Sequence, residues 1–277
     1  MAQANVYDFC SDAGAIPHVS SLAAAWHNGR AMNASLGRLH PGDALLVPNY
    51  TFHLMGGVIG SHLRSVMLRI EGSLVFWSDP TEWPRNSRAS SEARRDVLDC
   101  LLLDQPYNLT ITSAGVGTLD GRGDRWWGLP GLGYLARGEN RPRLLTLQSP
   151  RDVTVEKLRL LNSPYWTFWA PDSNGLEVRH VHIEARRTTS DSHHLIDLTA
   201  FNTDGFDVQG SHVWIHDCSI WNNDDCVSVK DNSSNMIFER LQASGMGLTI
   251  GSLGNGVVRN ITFRNSTMHH TFKGIYV

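Results

Sequence analysis

One eight-residue pattern recurs along the chain, as VTVEKLRL at 153–160, LEVRHVHI at 176–183, VWIHDCSI at 213–220 and MIFERLQA at 236–243. Its first, third, sixth and eighth positions are almost always apolar, and three further copies begin at residues 68, 109 and 261. Each copy alternates like two very short strands separated by two residues, and it is rich in β-forming side chains. Helical periodicity is absent from these stretches, which argues against helical and leucine-rich-repeat solenoids.

The spacing between copies predicts the architecture. First positions 153 and 176 lie 23 residues apart, as do 213 and 236, and 261 follows 25 residues after 236. The longer intervals hold the same unit plus long loops. A coil of about 23 residues built from short strands is typical of a right-handed parallel β-helix, whose interior the apolar positions would fill. We therefore predict an all-β solenoid domain, a parallel β-helix, over residues 41–277.

The open end of such a solenoid exposes unpaired backbone and needs a cap. Residues 20–33 follow Pro17 and offer Ser20 or Ser21 as the N-cap of an Ala-rich helix. The sequence thus predicts an N-terminal cap region over residues 1–40. At the other end the chain stops at Tyr276-Val277 within strand-like sequence, so we expect that C-terminal coils are missing.

Composition narrows the classes of function. The 277 residues carry a net charge of -3, which argues against a dedicated nucleic-acid-binding protein. No apolar run approaches the roughly 18 residues that a membrane span needs. No signal peptide is visible at the start, yet six Asn-x-Ser/Thr sequons occur, at Asn33, Asn49, Asn108, Asn232, Asn260 and Asn265. About 2.5 are expected by chance, and the excess favours an extracellular protein. The four cysteines could form two disulfides or none.

Stacking the coils aligns residues at equal offsets along one side of the solenoid. These offsets collect Tyr165, Trp166, Arg186, Arg187, Asp224, Asp225, Met246, Gly247 and Lys273. Aromatic rings stack on sugar faces, and cations pair with uronate carboxylates. The pattern therefore predicts a groove for a long polysaccharide. The alternative is that the aromatic residues belong to the core and the arginines are merely solvated.

Three carboxylates fall near one another in this arrangement. Asp204 precedes the 213 coil and the Asp224-Asp225 pair leaves it, so one turn of the solenoid brings them face to face. Glycoside hydrolysis needs one acid to protonate the leaving oxygen and one carboxylate to activate water or attack. Close like charges raise one pKa and keep a proton available near neutral pH. An Asp pair alone could equally form a turn or a calcium site.

Several motifs, taken in order, resemble glycoside hydrolase family 28, the polygalacturonase family: GTLDGRGDRWWG (117–128), NTDGFD (202–207), NDDC (223–226) and GMGLTIGSLG (245–254). The resemblance implies a right-handed parallel β-helix that hydrolyses the pectin backbone with inversion, without metal or other cofactor. It assigns Asp224 as the general acid, with Asp204 and Asp225 holding and deprotonating the attacking water. Inversion implies an acid and a base roughly 6.5–9.5 Å apart.

The chain departs from the family pattern at two positions. Met246 stands where polygalacturonases have His in Gly-His-Gly, and Tyr276 stands where they have the Arg of Arg-Ile-Lys. A frequent family disulfide is also missing, because Cys226 would face Gln242. The residues expected to contact substrate are Asn202, Lys230, Met246, Lys273 and Tyr276. Asp207 is expected to support the Asp204 loop through hydrogen bonds.

These departures keep other functions open. The expected partner is pectin, bound by a monomer, and galacturonan is the first choice of substrate. A rhamnogalacturonan hydrolase of the same family is the nearest alternative, and a catalytically inactive polysaccharide-binding β-helix is another. A pectate lyase would share the fold but needs calcium and a basic Arg or Lys. A metal site built from the histidine pairs is disfavoured, because no third ligand has suitable spacing.

Overall fold

A computed structural model describes residues 4–86, 95–128 and 140–277. Within these ranges 23 strands pair in parallel to form a solenoid, and one α-helix, α1 (Leu22–Gly37), lies between the first and second strands. The fifteen-stranded sheet contains β1 (Val6–Asp8), β2 (Ala44–Val47), β4 (Val58–Ser61), β5 (Met67–Ile70), β7 (Leu101–Asp104), β8 (Thr110–Thr112), β10 (Leu145–Gln148), β11 (Arg151–Glu156), β13 (Phe168–Arg179), β15 (Phe206–His216), β17 (Asp225–Val229), β18 (Ser233–Glu239), β20 (Gly247–Ile250), β21 (Val258–Arg264) and β23 (Ile275–Tyr276).

The second sheet has eight strands and closes the coil. It contains β3 (Thr51–Leu54), β6 (Ser73–Phe76), β9 (Thr118–Asp120), β12 (Arg159–Leu161), β14 (His182–Glu184), β16 (Ser219–Trp221), β19 (Gln242–Ser244) and β22 (Thr267–Met268). Short 3₁₀ helices lie at Gly123–Arg125 and Asp197–Thr199. Strand pairs join one coil to the next throughout, so the predicted parallel β-helix is confirmed.

The recurring pattern forms the interior as predicted in the four copies that begin at residues 153, 176, 213 and 236, and the copy at 261 stacks on them half-buried. Val153 pairs with Leu176, Leu176 with Val213, and Val213 with Met236, which in turn pairs with Ile261. The four from Val153 to Met236 are at most 1% exposed. Apolar side chains at every second residue of a strand point to the same face, so stacked copies fill one continuous core.

The two N-terminal copies have a different register from the predicted one. Leu68 pairs with Ile111 rather than with Leu109, and the second sheet buries Leu119 while Val116 is 54% exposed. The exposure of Val116 is caused by a turn after β8, in which the Ser113 hydroxyl accepts hydrogen bonds from the amides of residues 115, 116 and 117. This turn inserts residues that the fixed spacing does not count.

The predicted capping helix is present and extends to Gly37, four residues beyond the predicted end. Ser21 is its N-cap, and its hydroxyl accepts a hydrogen bond from the Ala24 amide at 3.2 Å. Buried Asn28 ties the helix to the first coils by donating to the His53 carbonyl at 2.9 Å. The division at residues 40/41 stays a prediction, although β1 already pairs with β2 across it.

All four cysteines lie in described residues and are free thiols, so neither of the two possible disulfides is present. Cys100, Cys218 and Cys226 are buried in the core. Burial raises the pKa of Cys218 and of Cys226 to about 12, which keeps both thiols protonated. In the described part of the chain, no helix is both long and apolar enough to cross a bilayer.

Candidate active site

The site is built on the turn between β16 and β17, where the chain passes from the second sheet back to the first. Buried Asn222 fixes this turn by donating to the carbonyls of Thr203 and Asp225, each at 2.9 Å. Buried Asn223 donates to the Ala185 carbonyl at 2.8 Å. Two side-chain amides therefore replace the strand hydrogen bonds that a turn lacks, and they hold the two following carboxylates in place.

The backbone of successive coils brings the three predicted carboxylates together. The Gly205 amide donates to the Asp225 carbonyl at 2.8 Å, and the Met246 amide donates to the Asp224 carbonyl at 2.8 Å. One oxygen each of Asp204, Asp224 and Asp225 lies within 4.8 Å of the others. That distance joins the nearest oxygens of the three groups, so the separation expected for inversion stays a prediction.

Each of the three carboxyls holds its proton more tightly than usual. Burial, and then the neighbouring Asp225, raises the pKa of Asp224 to about 6. Burial, followed by the charges of Asp207 and Asp224, raises the pKa of Asp204 well above its ordinary value. Burial also raises the pKa of Asp225. Asp224 therefore exchanges its proton in the mildly acidic range beside two carboxyls whose pKa values are also raised, which suits acid–base chemistry.

Lys230 lies beside this cluster and forms an internal ion pair with Asp207, Nζ to Oδ1, at 2.9 Å. Burial alone would lower the pKa of Lys230, but the Asp207 carboxylate overrides it and the pKa rises. Burial raises the pKa of fully buried Asp207 to about 7, against the opposing effect of Lys230. The described partner of Asp207 is thus Lys230, and its predicted support of the Asp204 loop stays untested.

Asn202 contacts the predicted acid directly. Its backbone amide and its side-chain Nδ2 donate to Oδ2 of Asp224, at 3.2 and 3.4 Å. Its side-chain oxygen accepts from Nη2 of buried Arg141 at 3.3 Å. Arg141 also donates to the carbonyls of Pro164 and Phe201, which fixes its guanidinium. The Asn202 amide is therefore oriented with its NH₂ group toward Asp224.

The two departures from the family pattern have different surroundings. The Tyr276 hydroxyl donates a hydrogen bond to Oδ1 of Asp225, and the exposed Lys273 ammonium lies 4.2 Å from the centre of the Tyr276 ring. Both lower the pKa of Asp225, against the larger effect of burial. Met246 is half-buried in the coil that follows Asp224, and its carbonyl accepts from the Lys273 amide at 2.8 Å.

Beside the carboxylates runs a column of residues on the outer side of the strands, which we call the outer column. Strand pairing places one member in each successive coil: Thr146, Trp169, Asp207, Ser228, Thr249 and Tyr276. Their neighbours Phe168, Phe206 and Val227 point into the core, so alternation directs the column outward. Thr146, Asp207, Ser228 and Thr249 are at most 3% exposed, so the members of this column that reach the surface of the predicted groove are the half-buried Trp169 and Tyr276.

The residues predicted to line this groove divide into two sets. Half-buried Trp166 lies in it, with the Lys230 ammonium 5.0 Å from a ring centre, whereas Tyr165 is buried and stacks on Trp166 at 5.2 Å. Arg187 instead donates to the carbonyls of Asp124, Trp127 and Gly128, and it ties two loops together. Arg186 pairs with Glu184 and lies over Trp221. The two arginines are therefore not groove residues, because a long loop follows β14.

Sequence reasoning missed three residues near the carboxylates: Arg141, Arg143 and Trp169. Trp169 could have been found from the alternation in Phe168-Trp169-Ala170, which directs the middle residue outward. Arg141 and Arg143 precede β10 and carry no local signal, because their partners lie 20 or more residues away along the chain.

The three carboxylates also form the one group of His, Cys, Asp or Glu side chains in the described ranges that is close enough to hold a metal ion. Oxygen ligands of this kind suit Ca²⁺ or Mg²⁺. The positive charge of Lys230 also acts on these three carboxyls, since it lowers the pKa of each of them. The histidine pairs form no such group within the described residues.

Comparison with known proteins agrees with this geometry. A polygalacturonase from Juniperus ashei is 31% identical over 199 residues, which is 69% of this chain and 34% of that protein. Exopolygalacturonase A from Aspergillus niger is 33% identical over 220 residues, or 77% of this chain and 47% of that protein. The chain thus spans between a third and a half of the length of these curated relatives.

The fold is also that of a solved structure. The polygalacturonase from Erwinia carotovora ssp. carotovora superimposes with a TM-score of 0.75 at 20% identity, over 99% of this chain and 71% of that one. The sequence profile described as Glycosyl hydrolases family 28 matches residues 86–277, more than half of the chain. With three carboxylates gathered on successive coils of a parallel β-helix and this match across them, the chain belongs to glycosyl hydrolase family 28.

Proposed function

We propose that this protein is an inverting hydrolase of glycosidic bonds in the pectin backbone, with galacturonan as substrate. The observation that carries the proposal is the cluster of Asp204, Asp224 and Asp225, whose nearest oxygens lie within 4.8 Å and whose pKa values are all raised. A glycosidase needs such a pair of acid and base at one bond. The relatives described above are named polygalacturonase and exopolygalacturonase, which supports the choice of substrate.

In the proposed mechanism Asp224 donates its proton to the leaving glycosidic oxygen as the bond to the anomeric carbon breaks. Water adds to that carbon from the opposite face, and its proton passes to Asp204 or Asp225. A pKa of about 6 lets Asp224 hold its proton in mild acid and release it within the reaction. Oδ1 of Asp204 is buried without a hydrogen-bond partner among the described residues, so this acceptor is not occupied by another described group.

Substrate recognition is proposed to use the residues around this cluster. Lys273 is exposed and carries the charge that a galacturonate carboxylate needs. Tyr276, Met246 and Asn202 complete the same part of the groove. Lys230 is already paired with Asp207, so it would contact a sugar only as a shared partner.

The second candidate is a rhamnogalacturonan hydrolase of the same family. It is favoured by Tyr276, whose hydroxyl is used by Asp225 and cannot pair bidentately with a uronate as Arg does. A catalytically inactive polysaccharide-binding protein is the third candidate, and the retention of all three carboxylates argues against it.

The test is the release of reducing ends from polygalacturonan and from rhamnogalacturonan, with Asp224→Asn as control. Release from polygalacturonan that the variant lacks supports the proposal, and release from rhamnogalacturonan alone supports the second candidate. If folded protein releases no reducing ends from either substrate, the proposed hydrolysis is contradicted. Proton NMR of the first product reports the anomer: an inverted anomer is expected, and a retained one contradicts the inverting mechanism.

A metal requirement is tested in the same assay. Activity is expected to survive exhaustive chelation, because the proposed steps use only protons and water. Loss of activity on chelation that Ca²⁺ restores, together with unsaturated products, would instead indicate a lyase.

We further propose that the protein acts outside the cell as a monomer. All six sequon asparagines are exposed, as a glycan attachment site must be. Four of them, Asn108, Asn232, Asn260 and Asn265, adopt left-handed backbone conformations, which favour Asn for structural reasons alone. The Asn33 side chain accepts from the Ile59 amide at 2.7 Å, which is also a structural role, so Asn49 carries the strongest support. The carboxylates and the groove come from one chain, so the proposed chemistry needs no second copy.

A further inference from the structure

Arg143 differs from its neighbours Arg95 and Arg141 in the partners of its guanidinium. Arg95 is paired with Asp99 at 2.5 Å, and Arg141 is held by carbonyl oxygens and by Asn202. The Nε of Arg143 is buried and has no hydrogen-bond partner in the part of the chain that the structure describes. Its guanidinium carbon instead lies 4.5 Å from the ring centre of Trp166 and 5.3 Å from that of Trp169.

Among the described residues this arrangement leaves the Arg143 cation without an ion pair. Burial and the neighbouring Arg95 lower the pKa of Arg143 to about 10, while Asp99 and Asp207 act in the opposite sense. The guanidinium therefore remains charged in mild acid. Arg143 as a whole is half-buried, but its Nε is buried, and a buried donor is stable only when it is hydrogen-bonded, which two ring faces do not provide. A ligand that supplies a planar anion would complete the site.

The site lies on the path of the proposed groove. The Leu144 amide donates to the Trp166 carbonyl at 3.1 Å, and the Thr167 amide donates to the Asp204 carbonyl at 2.8 Å. Arg143 is thus two coils away from Asp204, a distance of roughly 10 Å along the axis at the usual strand spacing. Trp169 belongs to the outer column and is paired with Asp207. The sugar nearest to Arg143 is therefore not the one whose bond is broken.

We propose that Arg143, held against Trp166 and Trp169, binds a carboxylate of the uronate chain at a subsite remote from the cleaved bond. This inference rests on the proposed function, because it assumes an acidic polysaccharide. Guanidinium groups recognise carboxylates through two parallel N–H donors, and the tryptophan rings offer apolar faces on which the same sugar can stack. The subsite would bind acidic backbones in preference to neutral ones, and it would increase the affinity for chains long enough to reach it.

The test measures binding without turnover, in the Asp224→Asn background, by calorimetry with unmodified oligogalacturonates of two to six residues and with their methyl esters. Arg143→Met keeps the apolar stem and removes the charge. It is expected to weaken binding of the longer acidic oligomers by about 10- to 100-fold. Binding of the dimer and of the methyl esters is expected to stay within about 2-fold. Arg143→Lys, which lacks the planar fork, should be intermediate.

The matched control is Arg64→Met, since Arg64 also lies over an aromatic ring, that of Tyr107 at 5.9 Å, but outside the outer column. The subsite is overturned if Arg143→Met weakens binding equally for oligomers of every length, or weakens binding of the methyl esters as much as that of the acids. It is also overturned if Arg143→Met binds the oligomers as tightly as Arg64→Met does. Thermal melting separates these outcomes from misfolding. If Asp224→Asn binds no acidic oligomer and the unmodified protein hydrolyses none, both the subsite and the proposed function are contradicted. Hydrolysis with an unchanged Arg143→Met profile removes only the subsite.

Discussion

Asn202 donates two hydrogen bonds to the same oxygen of Asp224, from its backbone amide at 3.2 Å and from its side chain at 3.4 Å. A residue in a left-handed conformation, with φ of 55°, can present both donors in one direction. Because Arg141 fixes the other end of the Asn202 amide, the predicted acid is oriented by a chain of residues rather than by one contact.

Replacement of this side chain should disturb chemistry more than folding. Asn202→Gly keeps the positive φ and removes Nδ2, and we expect kcat to fall about 10-fold with little change in thermal stability. Asn265→Gly is the matched control, because Asn265 has φ of 52° and is exposed outside the site. Unchanged kcat in Asn202→Gly would show that the backbone amide alone orients Asp224.

The pH dependence of kcat/KM should follow the carboxyl cluster. A pKa of about 6 for Asp224 means that the proton needed by the leaving oxygen is lost above that pH, so activity should decline there. On the acid side a base must ionise, and its raised pKa moves that limb above the ordinary range for Asp. We expect a narrow maximum between about pH 4 and 6. A rate that stays level from pH 6 to 8 would argue against Asp224 as the acid.

Loss of the Tyr276 hydroxyl should shift this profile. Its hydrogen bond stabilises the ionised form of Asp225 and lowers that pKa. Tyr276→Phe removes the donor, so the acid limb of the kcat/KM profile should move to higher pH by about one unit. The fold should be unaffected, because the ring and its contact with Lys273 are retained. An unmoved acid limb with lower kcat would indicate that Tyr276 contacts substrate instead.

The ion pair of Lys230 and Asp207 should matter for stability. Lys230→Met leaves a fully buried carboxylate unpaired, and the free energy of unfolding at pH 8 should fall by about 3–5 kcal/mol. The pKa of Asp207, already about 7, would rise further in the variant. Since that folded-state pKa exceeds the unfolded one, stability is lost as pH rises through it and is recovered as pH falls. Denaturant unfolding at pH 5 should therefore show a smaller deficit than at pH 8.

Two further variants test whether the loss of stability comes from the unpaired carboxylate. Lys157→Met removes an exposed lysine that lies 3.8 Å from Glu156, and it should change stability by less than about 1 kcal/mol. The double variant with Asp207→Asn should recover much of the loss, because it removes the unpaired charge. Equal deficits at both pH values would mean that the lost packing of the lysine stem dominates.

The sequence by itself determined the solenoid and the position of its carboxylates. Alternation within a strand and a constant coil length are local properties, so counting residues from Val153 to Ile261 was enough to superimpose five coils. The same counting brought Asp204 beside Asp224 and Asp225, because only one turn of the solenoid separates them.

The tertiary structure decided whatever depends on long loops and on contacts between distant residues. The Ser113 turn displaced Val116 to the surface, and the loop after β14 carried Arg187 away from the groove. Arg143 contacts Trp166 and Trp169 from the preceding coil, and counting residues along the repeat does not predict this contact. The physical reason is that strand spacing is set by backbone hydrogen bonds common to all residues. The direction of a loop is set by particular side chains, whose partners appear only once the coils are stacked.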